Sequence, residues 1–160
     1  SRNYNFQSSS SIQTKIPKLR ILLVDDAPML RKATSRALMK EGHDVDVAHH
    51  GAECLKVLES KDVAFDLILM DLQMPVMDGL EASQRIRVLE SNRLSMLPPS
   101  DADISLLSNR SIMIIGLSAN SESEAREDCM QSGMDGFIEK PLTMKIFRNS
   151  YSSLFQKNQN

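Results

Sequence analysis

The sequence lacks the features that would tie it to a nucleic acid, a membrane or a redox centre. Nineteen basic residues against 21 acidic ones leave a net charge of −2, and no Lys/Arg block gathers the positive charge needed to follow a phosphate backbone. Direct nucleic-acid binding is not expected. Cysteine is limited to Cys54 and Cys129, which lie in unrelated helical patterns without the close spacing of a metal knuckle or a dithiol. Both read as buried thiols of a reducing compartment. No apolar run approaches the ~20 residues that a membrane span requires, and the polar N-terminus has neither an h-region nor a cleavage site. The chain is therefore expected to be soluble and cytoplasmic, without membrane contact of its own, although a parent protein could be membrane-attached. With 160 residues and 41% hydrophobic content there is material for one core of ordinary size and too little for a substantial second domain.

Along the chain, residues 1–17, with Ser8-Ser9-Ser10-Ser11 among Gln, Asn and Lys, read as a flexible linker. A folded unit is expected over 18–157, followed by a polar tail at 158–160. Within the unit short apolar strands alternate with helical patterns, which argues for crossover units and a parallel sheet. The strand candidates are Leu19–Val24, Asp44–Ala48, Phe65–Met70, Ile112–Leu117 and Gly136–Glu139. Leu30, Ala33, Ala37 and Leu38 recur at helical spacing before a stop at Gly42. Further helices are expected over Ala52–Leu58 and Gly79–Leu89, the latter opened by Asp78 with Glu81 three residues on. A fourth starts at the capping pattern Ser121-Glu122-Ser123-Glu124 and closes before Gly133. Ile146, Phe147, Tyr151, Leu154 and Phe155 mark a fifth. Five strand–helix repeats with right-handed crossovers give an α/β, flavodoxin-like three-layer (βα)5 fold with strand order 2-1-3-4-5. The stretch Ser91–Ser111, containing Pro98-Pro99-Ser100-Asp101, is expected to be an inserted mobile loop on the face opposite the strand ends.

That topology puts the ends of the first and third strands side by side, where ligands of such sheets bind. Asp25-Asp26 ends the first strand, and Asp71 ends the apolar run Leu67-Ile68-Leu69-Met70 just before a Met74-Pro75-Val76-Met77-Asp78-Gly79 turn. Lys140-Pro141 ends the fifth. Taken singly, each feature has a plain structural reading: an acidic pair capping a helix, a hydroxyl at Ser118 where a helix begins, a Lys-Pro turn, a core aromatic at Phe137. Together, in this order, they resemble the receiver domain of two-component response regulators. Leu117-Ser118-Ala119-Asn120 and Gly136-Phe137-Ile138-Glu139-Lys140-Pro141 are similar to that family's fourth and fifth strand ends.

The resemblance implies a phosphoacceptor role for Asp71, which would attack a phosphohistidine on a partner and carry an aspartyl phosphate. It implies Mg²⁺ held directly by Asp26 and Asp71, through water by Asp25, and by the main-chain carbonyl of Gln73; an all-oxygen set suits that ion. Lys140, and Ser118 with the backbone N–H of Ala119, would take the remaining phosphoryl oxygens. A cis Lys140–Pro141 bond and a switch role for Ser118 and Phe137 follow from the same likeness. Gln73 stands where the family varies, so that its side chain could tune the phosphorylated lifetime. His43, His49 and His50 are expected at strand edges and in loops, since the donor histidine belongs to the partner. Met29 beside Leu30 and Pro28 could meet a partner helix.

The expected partners are a histidine kinase or a histidine phosphotransfer protein, as in a hybrid kinase or a phosphorelay, and a homodimer is compatible with the sequence. The module would not be an enzyme beyond its own phosphotransfer and dephosphorylation. A haloacid-dehalogenase-like phosphatase also uses Asp, Mg²⁺ and Lys, but it expects an acid two residues after a nucleophile at the first strand end, whereas Asp25 is followed by Asp26 and Ala27-Pro28. A phosphorylation-independent scaffold would not need intact Asp25, Asp26, Asp71, Ser118 and Lys140. A flavin carrier would need a Ser/Thr/Gly-rich phosphate loop after the first strand, which is missing.

Overall fold

Three of the five strands are buried almost from end to end, and that places them in the middle of the sheet. In the computed structural model, which describes residues 15–60, 64–96, 111–120 and 123–160, β1 (Arg20–Val24), β3 (Leu67–Asp71) and β4 (Met113–Ser118) carry these runs. The half-exposed β2 (Asp44–Ala48) and β5 (Gly136–Glu139) form the two edges. All pairings are parallel, in the order β2-β1-β3-β4-β5. This is the expected flavodoxin-like order.

Side chains alternate across the sheet, so each strand feeds two cores. Leu22, Val24, Ile68, Met70 and Ile114 point to one face. There they meet Cys54 and Leu58 of α2 (Gly51–Ser60), Ala82 and Ile86 of α3 (Gly79–Ser95) and Cys129 of α4 (Ser123–Gln131). On the other face Ile21, Leu23, Leu67, Leu69, Ile115 and Leu117 pack against Leu38 of α1 (Pro28–Lys40) and Phe147 and Tyr151 of α5 (Met144–Asn158). Both thiols are free and buried, as expected, and burial pushes the Cys54 thiol up to about 12. Helix α1 ends where Gly42 takes φ = +103°. The N–H groups of Gly42 and His43 return to the carbonyls of Met39 and Leu38 at 3.0 and 3.2 Å, a left-handed cap that a residue with a Cβ resists.

Two expectations are corrected. Helix α3 continues to Ser95 rather than stopping at Leu89, so residues 91–95 of the stretch read as an inserted loop are helical. Their side chains are all exposed, so they leave no apolar periodicity to read; the Arg93 guanidinium instead donates to the Leu58 carbonyl of α2 at 2.6 Å. Residues 97–110, and the linker reading at 1–14, lie outside the described residues. The flanks of that segment sit at the N-terminal edge of the sheet, where the Arg87 guanidinium donates to Gly133 O at 2.9 Å and Ile112 O at 2.8 Å and pairs with Asp135 at 3.0 Å.

His43 also departs from expectation. It is buried rather than a strand-edge residue: its Nδ1 accepts the Leu19 N–H at 3.1 Å, and its ring lies edge-on to Phe147 with centroids 5.6 Å apart. Burial holds the imidazole below its ordinary value of 6.5, against an opposing pull from Glu41. A depressed folded value means that the neutral ring contributes stability above the unfolded value, lost as the pH falls from 6.5 through the lowered value. Urea unfolding midpoints should therefore drop between pH 7.5 and pH 5.5 in the parent protein. The drop should be smaller in His43→Gln, and an equal drop in both would remove His43 from the account. His49 and His50 do lie in the β2–α2 turn, where His49 meets Glu53 and His50 Nδ1 accepts the Glu53 N–H.

Candidate phosphoacceptor site

Strands β1, β3 and β5 end on one edge of the sheet, and each delivers an ionisable residue there. Asp25 follows β1 directly. Its N–H donates to Ala48 O at 3.2 Å, its Oδ1 accepts the Ala27 N–H at 2.8 Å, and its carbonyl accepts from the Arg31 guanidinium at 2.6 Å. The acidic pair does not cap α1: the N-cap is Ala27, without a side-chain hydrogen bond, and Pro28 opens the helix. Asp26 is consequently left exposed at the mouth of the site.

Asp71 is the last residue of β3, in register with Leu117 of β4. Its side chain is almost wholly buried, and its Oδ1 accepts the Gln73 N–H at 3.2 Å. The turn that follows is anchored by the buried Met74 and Met77, while Val76 is thrown outward at φ = +70°, a strained conformation for a β-branched residue. Asp78 then caps α3 by accepting the Glu81 N–H at 2.8 Å. Gly79 has to be glycine, because a Cβ at that position would run into the Asp71 carbonyl. The turn thus folds back against the residue it presents.

Lys140 follows β5, the outermost strand, at the same strand ends. Its N–H donates to Ser118 O at 2.7 Å, the Lys140–Pro141 bond is cis as expected, and its Nζ lies 3.3 Å from Asp71 and 3.5 Å from Asp25. Ser118, also buried, turns its hydroxyl to accept the Asn120 N–H at 3.0 Å. Ala119 is exposed beside it, and Phe137 is half-buried. Burial raises the Asp71 carboxyl above its ordinary 3.8, Lys140 pulls it down, and the neighbouring Asp25 pushes it up again.

Oxygens of Asp25, Asp26 and Asp71 all lie within 4.8 Å of one another. Three carboxylates this close repel unless a cation joins them, and a hard, all-oxygen donor set fits Mg²⁺. Arg31 and Arg126 escaped the reading of the sequence. Arg31 holds the Asp25 carbonyl, and Arg126 of α4 places its guanidinium carbon 5.7 Å from the Phe137 ring centroid. Neither belongs to a motif. A groove of about 500 Å³ opens between the turn after β3 and α4, lined by Gln73, Pro75, Leu80, Ser118 and Ala125 among others.

Comparisons with known proteins agree with this fold. The response regulator receiver domain matches residues 21–98. Hybrid signal transduction histidine kinase B of Dictyostelium discoideum is 41% identical over 123 residues, 77% of this chain and 6% of that protein. Histidine kinase 5 of Arabidopsis thaliana is 36% identical over 141 residues, 82% of this chain and 15% of that one. The chain thus spans only a small part of the curated relatives it matches. Among solved structures, the complex of the Saccharomyces cerevisiae phosphotransfer protein Ypd1 with the receiver domain of Ssk1 matches at a TM-score of 0.68, with 24% identity over 82% of this chain and 84% of that one. Among the described residues no helix is long and apolar enough to cross a membrane. A buried aspartate at the end of β3, ringed by two more acids and a lysine on a sheet of this order, and these relatives lead to one conclusion: the chain belongs to the response regulator receiver domain family.

Proposed function

We propose that this receiver takes a phosphoryl group from a phosphohistidine onto Asp71, as one station of a histidine-to-aspartate relay. The observation that carries the reading is the placement of the Lys140 ammonium against a buried Asp71 whose other neighbours are carboxylates. A buried carboxylate set among like charges is costly to a fold, and that setting suits a nucleophile that gains a phosphoryl group beside a cation.

Asp26 and Asp71, with the Gln73 carbonyl, would hold Mg²⁺ directly, and Asp25 through water. When bound, the ion neutralises charge on the transferring group. The chain's own residues do the rest. Asp71 supplies the attacking oxygen, held by the Gln73 N–H. Lys140 would offer its ammonium to one phosphoryl oxygen, and the Ser118 hydroxyl and Ala119 N–H would serve another. In doing so Ser118 would exchange its bond to Asn120 for one to the phosphoryl group, and Phe137 would move toward the space it leaves. Ser118 and Phe137 face the same side of the sheet, since Gly116 pairs with Phe137 and Ser118 with Glu139.

The donor surface is the rim of this edge. Met29 is 87% exposed, Leu30 41% and Val76 80%, an apolar collar around the acidic mouth suited to a partner's helices. The yeast match was solved as a complex with a histidine phosphotransfer protein, and a partner of that class fits here. By the same reading the parent would be a hybrid histidine kinase, and catalysis by this module would be confined to its own phosphorylation and dephosphorylation. Transfer of radiolabel from a phosphorylated histidine phosphotransfer protein should require Mg²⁺ and fall at least tenfold in Asp26→Ala, which removes one metal oxygen. Undiminished transfer with EDTA present would refute the metal site.

A further inference from the structure

Arg126 stands outside the acidic cluster, yet it touches the ring through which that cluster would be read. It lies on the exposed side of α4, with its guanidinium carbon 5.7 Å from the Phe137 centroid, within the range at which a cation is drawn to an aromatic face. Phe137 packs from below against the core shared by α2, α3 and α4. Its cross-strand neighbour is Gly116, and the space above that glycine is already taken: a Cβ there would meet Met134 Sδ at 2.7 Å, Cys129 Sγ at 3.2 Å and Leu72 Cδ2 at 3.2 Å. Inward movement of the ring toward Gly116 is therefore blocked. The side toward Ser118 is where room changes when that hydroxyl turns, and on the solvent side the ring is covered by Arg126.

We infer that Arg126 is a positioning residue that caps Phe137 and holds the ring in its resting orientation, so that α4 and β5 part at this contact when Asp71 is phosphorylated. The inference rests on the switch reading of Ser118 and Phe137 given above. A contact made in one state only biases the equilibrium against the other. An exposed cation–aromatic contact is worth about a two- to fivefold change in such an equilibrium. Removing it should therefore tighten the apparent binding of a phosphoryl mimic by that factor. The long-range field of the guanidinium acts in the opposite sense, because it attracts an anion to the site and its loss would weaken binding. The direction of the change separates the two.

The test uses the full chain with saturating Mg²⁺, titrated with beryllium trifluoride and followed by NMR at the Ala119 amide and the Phe137 ring. Arg126→Ala should lower the half-saturating concentration about two- to fivefold and shift the free protein's Phe137 ring signals toward their bound positions. Phe137→Leu should erase the difference, so that the double variant titrates like Phe137→Leu alone. An unchanged or raised midpoint in Arg126→Ala, or an effect that survives in the Phe137→Leu background, would overturn the inference while leaving the phosphoacceptor reading intact. Failure of the parent chain itself to bind the mimic would overturn both.

Discussion

Asp71→Asn is expected to abolish acyl-phosphate formation and, in the same molecule, to raise the stability of the metal-free protein. The amide lacks the anionic oxygen that attacks phosphorus and the charge that draws Mg²⁺, so labelling should fall to background. The gain in stability follows from the sign of the carboxyl's shift. Asp71 is raised above its ordinary 3.8 chiefly by burial, with Asp25 adding to the effect and Lys140 opposing it. A raised folded value means that the group's favourable contribution is complete below the unfolded value and is lost as the pH rises through the folded one. At neutral pH the ionised Asp71 is therefore a cost that asparagine does not carry, and Lys140 keeps Asp25 as a partner. Urea unfolding in EDTA at pH 7 should show Asp71→Asn more stable by about 1 kcal/mol, a usual size for relieving a site held in tension by function. A less stable variant would mean that Lys140 more than offsets the burial.

Lys140→Met should fail in the complementary way. The thioether keeps the length and apolar stem of the side chain but removes the ammonium that lies 3.3 Å from Asp71 and 3.5 Å from Asp25. Losing one preorganised partner of a transferring group costs on the order of 10²-fold in rate, so transfer should slow by about that much without vanishing. Stability in EDTA should drop by about 3 kcal/mol, because two nearly buried carboxylates lose their cation. Mg²⁺ should restore most of the loss and should bind more tightly than in the parent, since no ammonium competes for the same oxygens. Weaker Mg²⁺ binding in Lys140→Met would show that the lysine organises the metal site rather than sharing its charge.

The clustering of the candidate site could be read from the sequence because the sheet order does the gathering. Apolar runs mark β1 and β3 as interior strands, and their neighbouring ends bring Asp25, Asp26 and Asp71 together; Lys140 needed only the end of β5. Features carried by single residues with distant partners could not be read in this way. His43 bonds Leu19, 24 residues away, and nothing around it marks it as buried. Arg87 reaches Ile112, Gly133 and Asp135 across separations of 25 to 48 residues, so its role depends on packing that no local pattern encodes. The last turn of α3, Ser91–Ser95, is exposed, and its single apolar residue, Leu94, makes no stripe. Arg126 has the same invisibility, because which helix residue lies over Phe137 depends on how α4 seats on β5.

The most direct measurement is chemical location of the adduct. After transfer from a phosphohistidine donor, borohydride reduction of the acyl phosphate and mass spectrometry of the peptides should place homoserine at position 71 alone, in an amount that follows the radiolabel. Homoserine at Asp25 or Asp26, or stable label with no reducible adduct at Asp71, would contradict the account.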